Sequence, residues 1–431
     1  MDPIFLARLQ FGVTIGFHFI YAPLTIGLSW MILYMMTKFK NGSDDGYGLM
    51  ARFWLKLFAI SFVIGVATGI VMEFQFGTNW ASFSKFVGDI FGAPLAAEGI
   101  TAFFLESTFA TVLLLGWNRL SKKALWFASL MVAIGTTLSG FWIIVANSWM
   151  QTPAGFHLVN GRAELTDFVA ALFNPSTLPR YLHTITGALM TGAFFVAGIS
   201  AYRILKGLKD WDAKRSLKIA LTFAAISSIA QLGLGHYHGV QVAFTQPEKL
   251  ATIEGVFETQ KRAPALLFGV PDEKNDTIRL PIRIPGLLSL LAFGDIDREV
   301  KGLNDFSKEE RPPLALTFAS FHIMVYLGMF FIFISFAGVY LLHTGKIYDY
   351  PIFLKVLFWT VPLPFITNEL GWITAEVGRQ PWAVYKVLKT SSAVSITIPS
   401  GNILFSLLTF TLIYIVFFSA WLFLLRREIR K

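Results

Sequence analysis

Four side chains able to hold iron stand in stretches that are otherwise almost wholly apolar. They are His18 in Gly16-Phe17-His18-Phe19, His183 after Leu178-Pro179-Arg180-Tyr181-Leu182, Met324 in Ser320-Phe321-His322-Ile323-Met324, and Glu376 in Ala375-Glu376-Val377. A lone histidine in such a stretch packs or hydrogen-bonds as readily as it ligates, and most helix methionines only fill space. A histidine paired with a methionine gives a six-coordinate low-spin haem suited to electron transfer, whereas a single histidine or carboxylate leaves the sixth iron position open for oxygen. Convergence of these groups at one depth would favour ligation. Two carboxylates, Glu98 and Glu106, share a further apolar stretch, Ala97-Glu98-Gly99-Ile100-Thr101-Ala102-Phe103-Phe104-Leu105-Glu106. On a regular helix they would stand about two turns, roughly 12 Å, apart and about 80° around the axis. Such a pair is either neutralised by neighbouring helices or passes protons through bridging waters, and the spacing favours the relay.

These groups need long apolar helices to position them, and the composition supplies those. Of 431 residues, 55% are hydrophobic and only 15% charged, against roughly a quarter charged in a soluble chain. The deficit runs along almost the whole length, so a bilayer explains it better than a large core. The run from Phe11 to Thr37 is too long for a signal peptide and is expected to remain as an anchor. The absence of cysteine removes disulfides, thiolate clusters, cysteine-ligated haem and covalent haem attachment. The net charge of +9 sits in short loops and reads as a topology signal, so no nucleic-acid partner is expected.

A hydrocarbon core about 30 Å thick needs roughly 20 apolar residues of helix. Candidate spans cover 11–37, 55–76, 97–117, 124–147, 181–202, 217–236, 313–343, 351–375 and 394–425. The expected fold is an all-α polytopic membrane protein of about nine transmembrane helices in bundles. Helices 1–6 fall within 1-243 and helices 7–9 within 313-431. Between them, 244-312 forms one long polar loop, of the kind that is usually functional or disordered. Most short-loop Lys and Arg follow spans 1, 3, 5 and 7 or lie in the tail. That bias puts the N-terminus and the long loop outside and Arg426-Arg427-Glu428-Ile429-Arg430-Lys431 in the cytoplasm. No repeat at a fixed period is visible, which weighs against a transporter built from inverted repeats.

Counting excludes two haem architectures. A copper–haem oxidase needs about six intramembrane histidines, and a di-haem cytochrome b needs two on each of two helices; neither set is present. His236 and His238, two residues apart, read as outer-loop residues.

Span 8 ends in Gly371-Trp372-Ile373-Thr374-Ala375-Glu376-Val377-Gly378-Arg379-Gln380-Pro381-Trp382, where an arginine beside a tryptophan could hold an anionic propionate. As a string it resembles subunit I of the cytochrome bd-type quinol oxidases. The resemblance covers nearly the whole chain. It includes Met72-Glu73-Phe74-Gln75-Phe76-Gly77-Thr78-Asn79-Trp80, Phe103-Phe104-Leu105-Glu106-Ser107-Thr108-Phe109 and Ala146-Asn147-Ser148-Trp149-Met150-Gln151. It continues through Gln246-Pro247-Glu248-Lys249-Leu250-Ala251 and Ile284-Pro285-Gly286-Leu287-Leu288-Ser289.

The resemblance implies that His183 and Met324 ligate a low-spin haem b, and that His18 and Glu376 each ligate one high-spin haem. One of the latter is b-type and the other d-type or again b-type. It implies that Lys249 and Glu254 serve quinol binding and deprotonation, that Glu98 and Glu106 feed protons, and that Glu73, Ser139, Asn147, Trp372 and Arg379 surround the haems or the proton route. The loop corresponds to the family's short quinol loop. A second multi-helix subunit, a small single-span subunit, membrane quinol, oxygen and the lipid bilayer are the implied partners. The implied location is a prokaryotic cytoplasmic (inner) membrane, and the implied reaction takes cytoplasmic protons without pumping. Two departures stand out: His322 where relatives commonly carry Arg, and Gly235-His236 where they often have Gly-Asp. A haem-free ion-coupled transporter is the alternative from another class, but it leaves Met324 and the loop blocks without a role. A haem-bearing quinol dehydrogenase without oxygen chemistry is the third.

Overall fold

The structure is a computed structural model that describes residues 2–42, 44–207, 211–395 and 397–431. Lys209, one of the cations in the loop after the fifth span, lies outside the described residues. Among the described residues, nine helices are long and apolar enough to cross a membrane: Pro3–Lys40, Gly46–Gly77, Ala81–Gly116, Lys122–Gln151, Phe168–Leu205, Asp212–Thr245, Leu314–His343, Pro351–Val377 and Ser400–Arg430, numbered spans 1 to 9. The expected number is borne out, and most helices run further than their apolar cores. The sixth carries on to Thr245, which corrects the reading of His236 and His238 as loop residues: both belong to the helix. A polar pair closes the apolar run in the sequence, yet neighbouring protein covers His238 and lets the helix continue.

Two interruptions shape the site. Span 1 consists of Pro3–His18 and Tyr21–Lys40. Pro23 explains the break, because its ring collides with the carbonyl four residues back, that of Phe19. His18 therefore ends the first segment. In span 3 a π-turn over Glu98–Phe103 follows Pro94. A π-turn inserts one residue into the helix, so Glu106 counts as if seven residues from Glu98. The expected offset of about 80° shrinks to about 20°, a correction that puts the two carboxylates nearly in line.

Span 5 is the hub, with 83% of its apolar window buried. It meets span 1 where backbones touch: a Cβ on Gly192 would lie 2.5 Å from the carbonyl carbon of Gly27. Small residues that let backbones approach are the membrane's way of packing helices without a hydrophobic drive. Spans 5, 6, 7 and 8 pack on one another. In contrast, spans 3, 7, 8 and 9 have only about a fifth of their windows buried, so broad apolar faces point outward.

The long loop has a fold of its own. Helix Pro247–Glu254 is followed by an antiparallel hairpin, Ala265–Asp272 with Thr277–Ile284, and by helix Leu287–Phe293. Ala251, Phe257, Leu266, Ile278 and Leu303 pack with Leu314 and Phe318 of span 7, which seats the loop on the helix bundle.

Candidate functional site

His183 lies in the second turn of the long helix of span 5, Thr177–Leu205. Its Nδ1 is buried without a partner among the described residues, and its Nε2 lies 3.3 Å from the Gln231 amide of span 6. The His238 ring stands 5.7 Å away. On span 7, Met324 turns its sulfur toward Gly371 of span 8, where a Cβ would come within 3.1 Å of it. Imidazole and thioether thus enter one four-helix bundle from different helices, beside positions kept bare of side chains.

His18 has a defined tautomer. Thr68 directs its single hydroxyl proton at the Ile64 or Gly65 carbonyl, each at 3.0 Å, and so accepts from His18 Nδ1 at 3.0 Å. Nε2 is left with a lone pair, the arrangement that orients a histidine toward a metal. Close by is Glu369 of span 8, which the sequence reading missed. Its Oε1 is buried without a partner among the described residues, and Gly16 faces its other oxygen. Seven residues before Glu376, it occupies the same helix face about 10 Å away. An intramembrane carboxylate is signal enough to have found it.

Glu376 anchors a dense polar cluster at the end of span 8. Its oxygens accept from Asn147 at 3.1 Å, Gln151 at 3.3 Å and Arg379 at 2.5 Å, and Arg180 stands 3.8 Å away. Arg180 also donates to Asn147. Trp372, half-buried, lies one turn before Glu376. Lys249 reaches in from the loop helix and donates to Gln151 Oε1 at 2.6 Å and to the Ala375 carbonyl at 3.2 Å. Three cations thus converge on Glu376, with buried Glu248 the second acid in reach, its Oε1 held by Tyr385 at 2.6 Å. Burial, and then the two guanidiniums, hold Lys249 well below the usual lysine range. Arg180 Nε and Arg379 Nη1 have no acceptor among the described residues. Buried guanidinium N–H groups without an acceptor ask for an anion.

Lys249 and Glu254 share the loop helix but not a side of it, since five residues turn a helix by about 140°. Glu254 instead meets the backbone N–H of Leu266 in the hairpin, and burial pushes its carboxyl up to about 7. At the third cluster, Ser139 of span 4 donates to Glu98 at 2.8 Å. Glu98 lies close enough to Glu106 and Glu73 to repel both. The residues that spacing alone left out of the site, Arg180, Gln151, Gln231, His238 and Glu369, all sit on neighbouring helices and join it only in three dimensions.

The family model for cytochrome bd terminal oxidase subunit I matches residues 6–431. The chain is 40% identical to the cytochrome bd ubiquinol oxidase subunit 1 of Bacillus subtilis (strain 168), covering 100% of this chain and 94% of that protein. It is 35% identical to the cytochrome bd-II ubiquinol oxidase subunit 1 of Escherichia coli (strain K12), covering 100% and 96%. Among solved structures, bd oxidase from Geobacillus thermodenitrificans aligns with a TM-score of 0.93 at 34% identity, covering 100% of this chain and 98% of that one.

Proposed function

The chain belongs to the cytochrome bd oxidase subunit I family, and from that premise we propose that it is the haem-bearing subunit of a terminal oxidase that oxidises membrane quinol and reduces oxygen to water. It would reside in a prokaryotic cytoplasmic membrane with its N-terminus outside and its C-terminus in the cytoplasm, the orientation favoured by its loop cations.

The observation that carries the haem reading is the pair of buried guanidinium N–H groups beside Glu376 that have no acceptor among the described residues. Arg180 and Arg379 retain N–H groups that haem propionates would satisfy, and a haem-free transporter gives them no purpose. His183 and Met324 would hold a low-spin haem b, while His18 and Glu376 would each hold one high-spin haem, one b-type and the other d-type or b-type. When bound, the haems would carry the electrons and provide the iron at which oxygen is reduced. Around them this chain binds, orients and moves protons. Thr68 keeps His18 Nε2 unprotonated. Glu254 would accept the quinol proton at its carboxylate, and Lys249, with two of its three N–H groups engaged, would offer the third to a quinol oxygen. Glu98, steadied by Ser139, and Glu106 would bring cytoplasmic protons inward through water. Sidedness alone would then separate charge, with no pump required. The outward apolar faces of spans 3, 7, 8 and 9 are where a second multi-helix subunit, and a small single-span one, would pack.

The test is optical. His183→Ala or Met324→Ala should abolish the low-spin component of the reduced-minus-oxidised spectrum while the protein still accumulates in the membrane. An unchanged spectrum in both variants refutes the assignment.

A further inference from the structure

The hairpin Ala265–Ile284 touches span 7 through three polar ties as well as its apolar inner face. Glu273, at its tip, accepts from the Ala315 N–H at 2.9 Å, in the first turn of span 7. Seven residues further along the helix, His322 Nε2 lies 3.2 Å from the Leu266 carbonyl and its Nδ1 3.0 Å from the Phe318 carbonyl; a neutral ring has one N–H, and the Nε2–H tautomer donates it to Leu266. One turn beyond, the Tyr326 hydroxyl donates to the Leu267 carbonyl. The His322 ring also stacks on Phe318 with centroids 4.0 Å apart. Leu266 is the pivot, because its C=O faces His322 Nε2 and its N–H lies near enough to the Glu254 carboxyl to favour the ionised form. Space beneath the strand is tight: a Cβ on Gly255, the residue after Glu254, would come within 2.7 Å of Ile278 and 3.1 Å of Phe318. The backbone beside Glu254 is thus packed directly between the hairpin and span 7.

We propose that the hairpin is a strap seated on span 7 by His322, Tyr326 and Glu273, and that His322 is a positioning residue which, through Leu266, holds the Glu254 carboxyl where quinol must meet it. The strap gives His322 a role distinct from that of a fixed cation near the low-spin site: it ties loop to helix through a backbone carbonyl. The inference rests on the reading of Glu254 as the proton acceptor. Strap seating governs how quinol binds and leaves the haems alone.

Asparagine places its amide where Nδ1 of histidine lies, and glutamine where Nε2 lies. His322→Asn thus keeps the Phe318 partner and loses Leu266, while His322→Gln keeps Leu266. The assembled oxidase is compared by trypsin cleavage at the exposed hairpin tip, at Lys274 and Arg279, by KM and kcat with a short-chain quinol, and by its difference spectrum. His322→Asn should speed cleavage and raise KM about tenfold, the factor one lost hydrogen bond supplies, with kcat within about twofold and the low-spin haem retained. His322→Gln should restore both. Tyr326→Phe, which frees the Leu267 carbonyl, and Glu273→Ala, which leaves the Ala315 N–H without its acceptor, should also speed tip cleavage, so the idea stays testable should His322→Asn fail to assemble. Unchanged cleavage in all these variants overturns the strap, as does a glutamine variant no better than the asparagine one. Glu254→Gln is the separate control: quinol kinetics unaffected by it would overturn the proton-acceptor reading, whatever the hairpin does.

Discussion

The sharpest consequence of the loop geometry concerns Glu254 and pH. Burial pushes its carboxyl from 4.5 to about 7, against the opposing pull of the Leu266 N–H. A base acts only when ionised, so kcat/KM for quinol should stand at about half its plateau at pH 7 and about a tenth at pH 6, falling roughly tenfold per unit below that. A carboxylate at its ordinary value would leave the profile flat to about pH 5.5. Glu254→Gln should lower the plateau by about 10²-fold or more and remove the acid limb.

The same shift has a thermodynamic face of known sign. The folded protein holds a proton on Glu254 that the unfolded chain releases near pH 4.5. Its contribution to stability is therefore fully present below 4.5 and lost as pH rises through 7. The loss amounts to about 3 kcal/mol, as order of magnitude. Glu254→Gln, which cannot ionise, should gain stability relative to the parent at pH 8 and match it near pH 4.5. Both limbs can be followed on detergent-solubilised protein, by quinol oxidation from pH 5 to 9 and by thermal unfolding. An acid limb that survives in Glu254→Gln, or a stability difference that grows toward low pH, would show that the buried carboxyl is not the group involved.

Two further outcomes follow from the bundle. Gly192→Ala must push span 5 away from Gly27, so thermal unfolding of the assembled protein should report a loss of about 1–3 kcal/mol; an unshifted transition would mean the two backbones are not in contact. Glu98→Gln should slow steady-state oxygen uptake at least about tenfold with quinol KM and difference spectrum unchanged. Ser139→Ala, which removes a donor but keeps the carboxylate, should cost only a few-fold, and equal loss in both would point to a structural role instead.

Much of the fold was open to reading because a bilayer imposes a length on every apolar helix, and nine such lengths stand out in the chain. The candidate ligands were visible for the same reason: His18, His183 and Glu376 are expensive in a membrane unless used. What spacing could not convey is anything decided by a neighbouring helix. His236 and His238 looked like loop residues because a polar pair ends an apolar run, and only the packing of span 6 against span 5 shows the helix continuing past them. Asn160-Gly161 turned out to close a small hairpin, Phe156–Val159 with Arg162–Leu165, and both residues have positive φ. That dipeptide is a strong local turn signal that carries no ionisable group. The loop's seating was illegible because its ties run to backbone carbonyls, and a carbonyl leaves no mark in a sequence.

The π-turn shows how a local irregularity can matter more than the residues it contains. On an unbroken helix Glu98 and Glu106 would diverge by about 80°, and a proton passing between them would have to round the helix. One inserted residue brings them to about 20°, on the side where Ser139 donates to Glu98 and where a Cβ on Gly135 would come within 3.0 Å of the Glu106 backbone. The turn begins four residues after Pro94, and span 4 fits itself to the result through a glycine. The alignment of the two carboxylates is thus set by the backbone of the turn and accommodated by a glycine, neither of which can carry a proton.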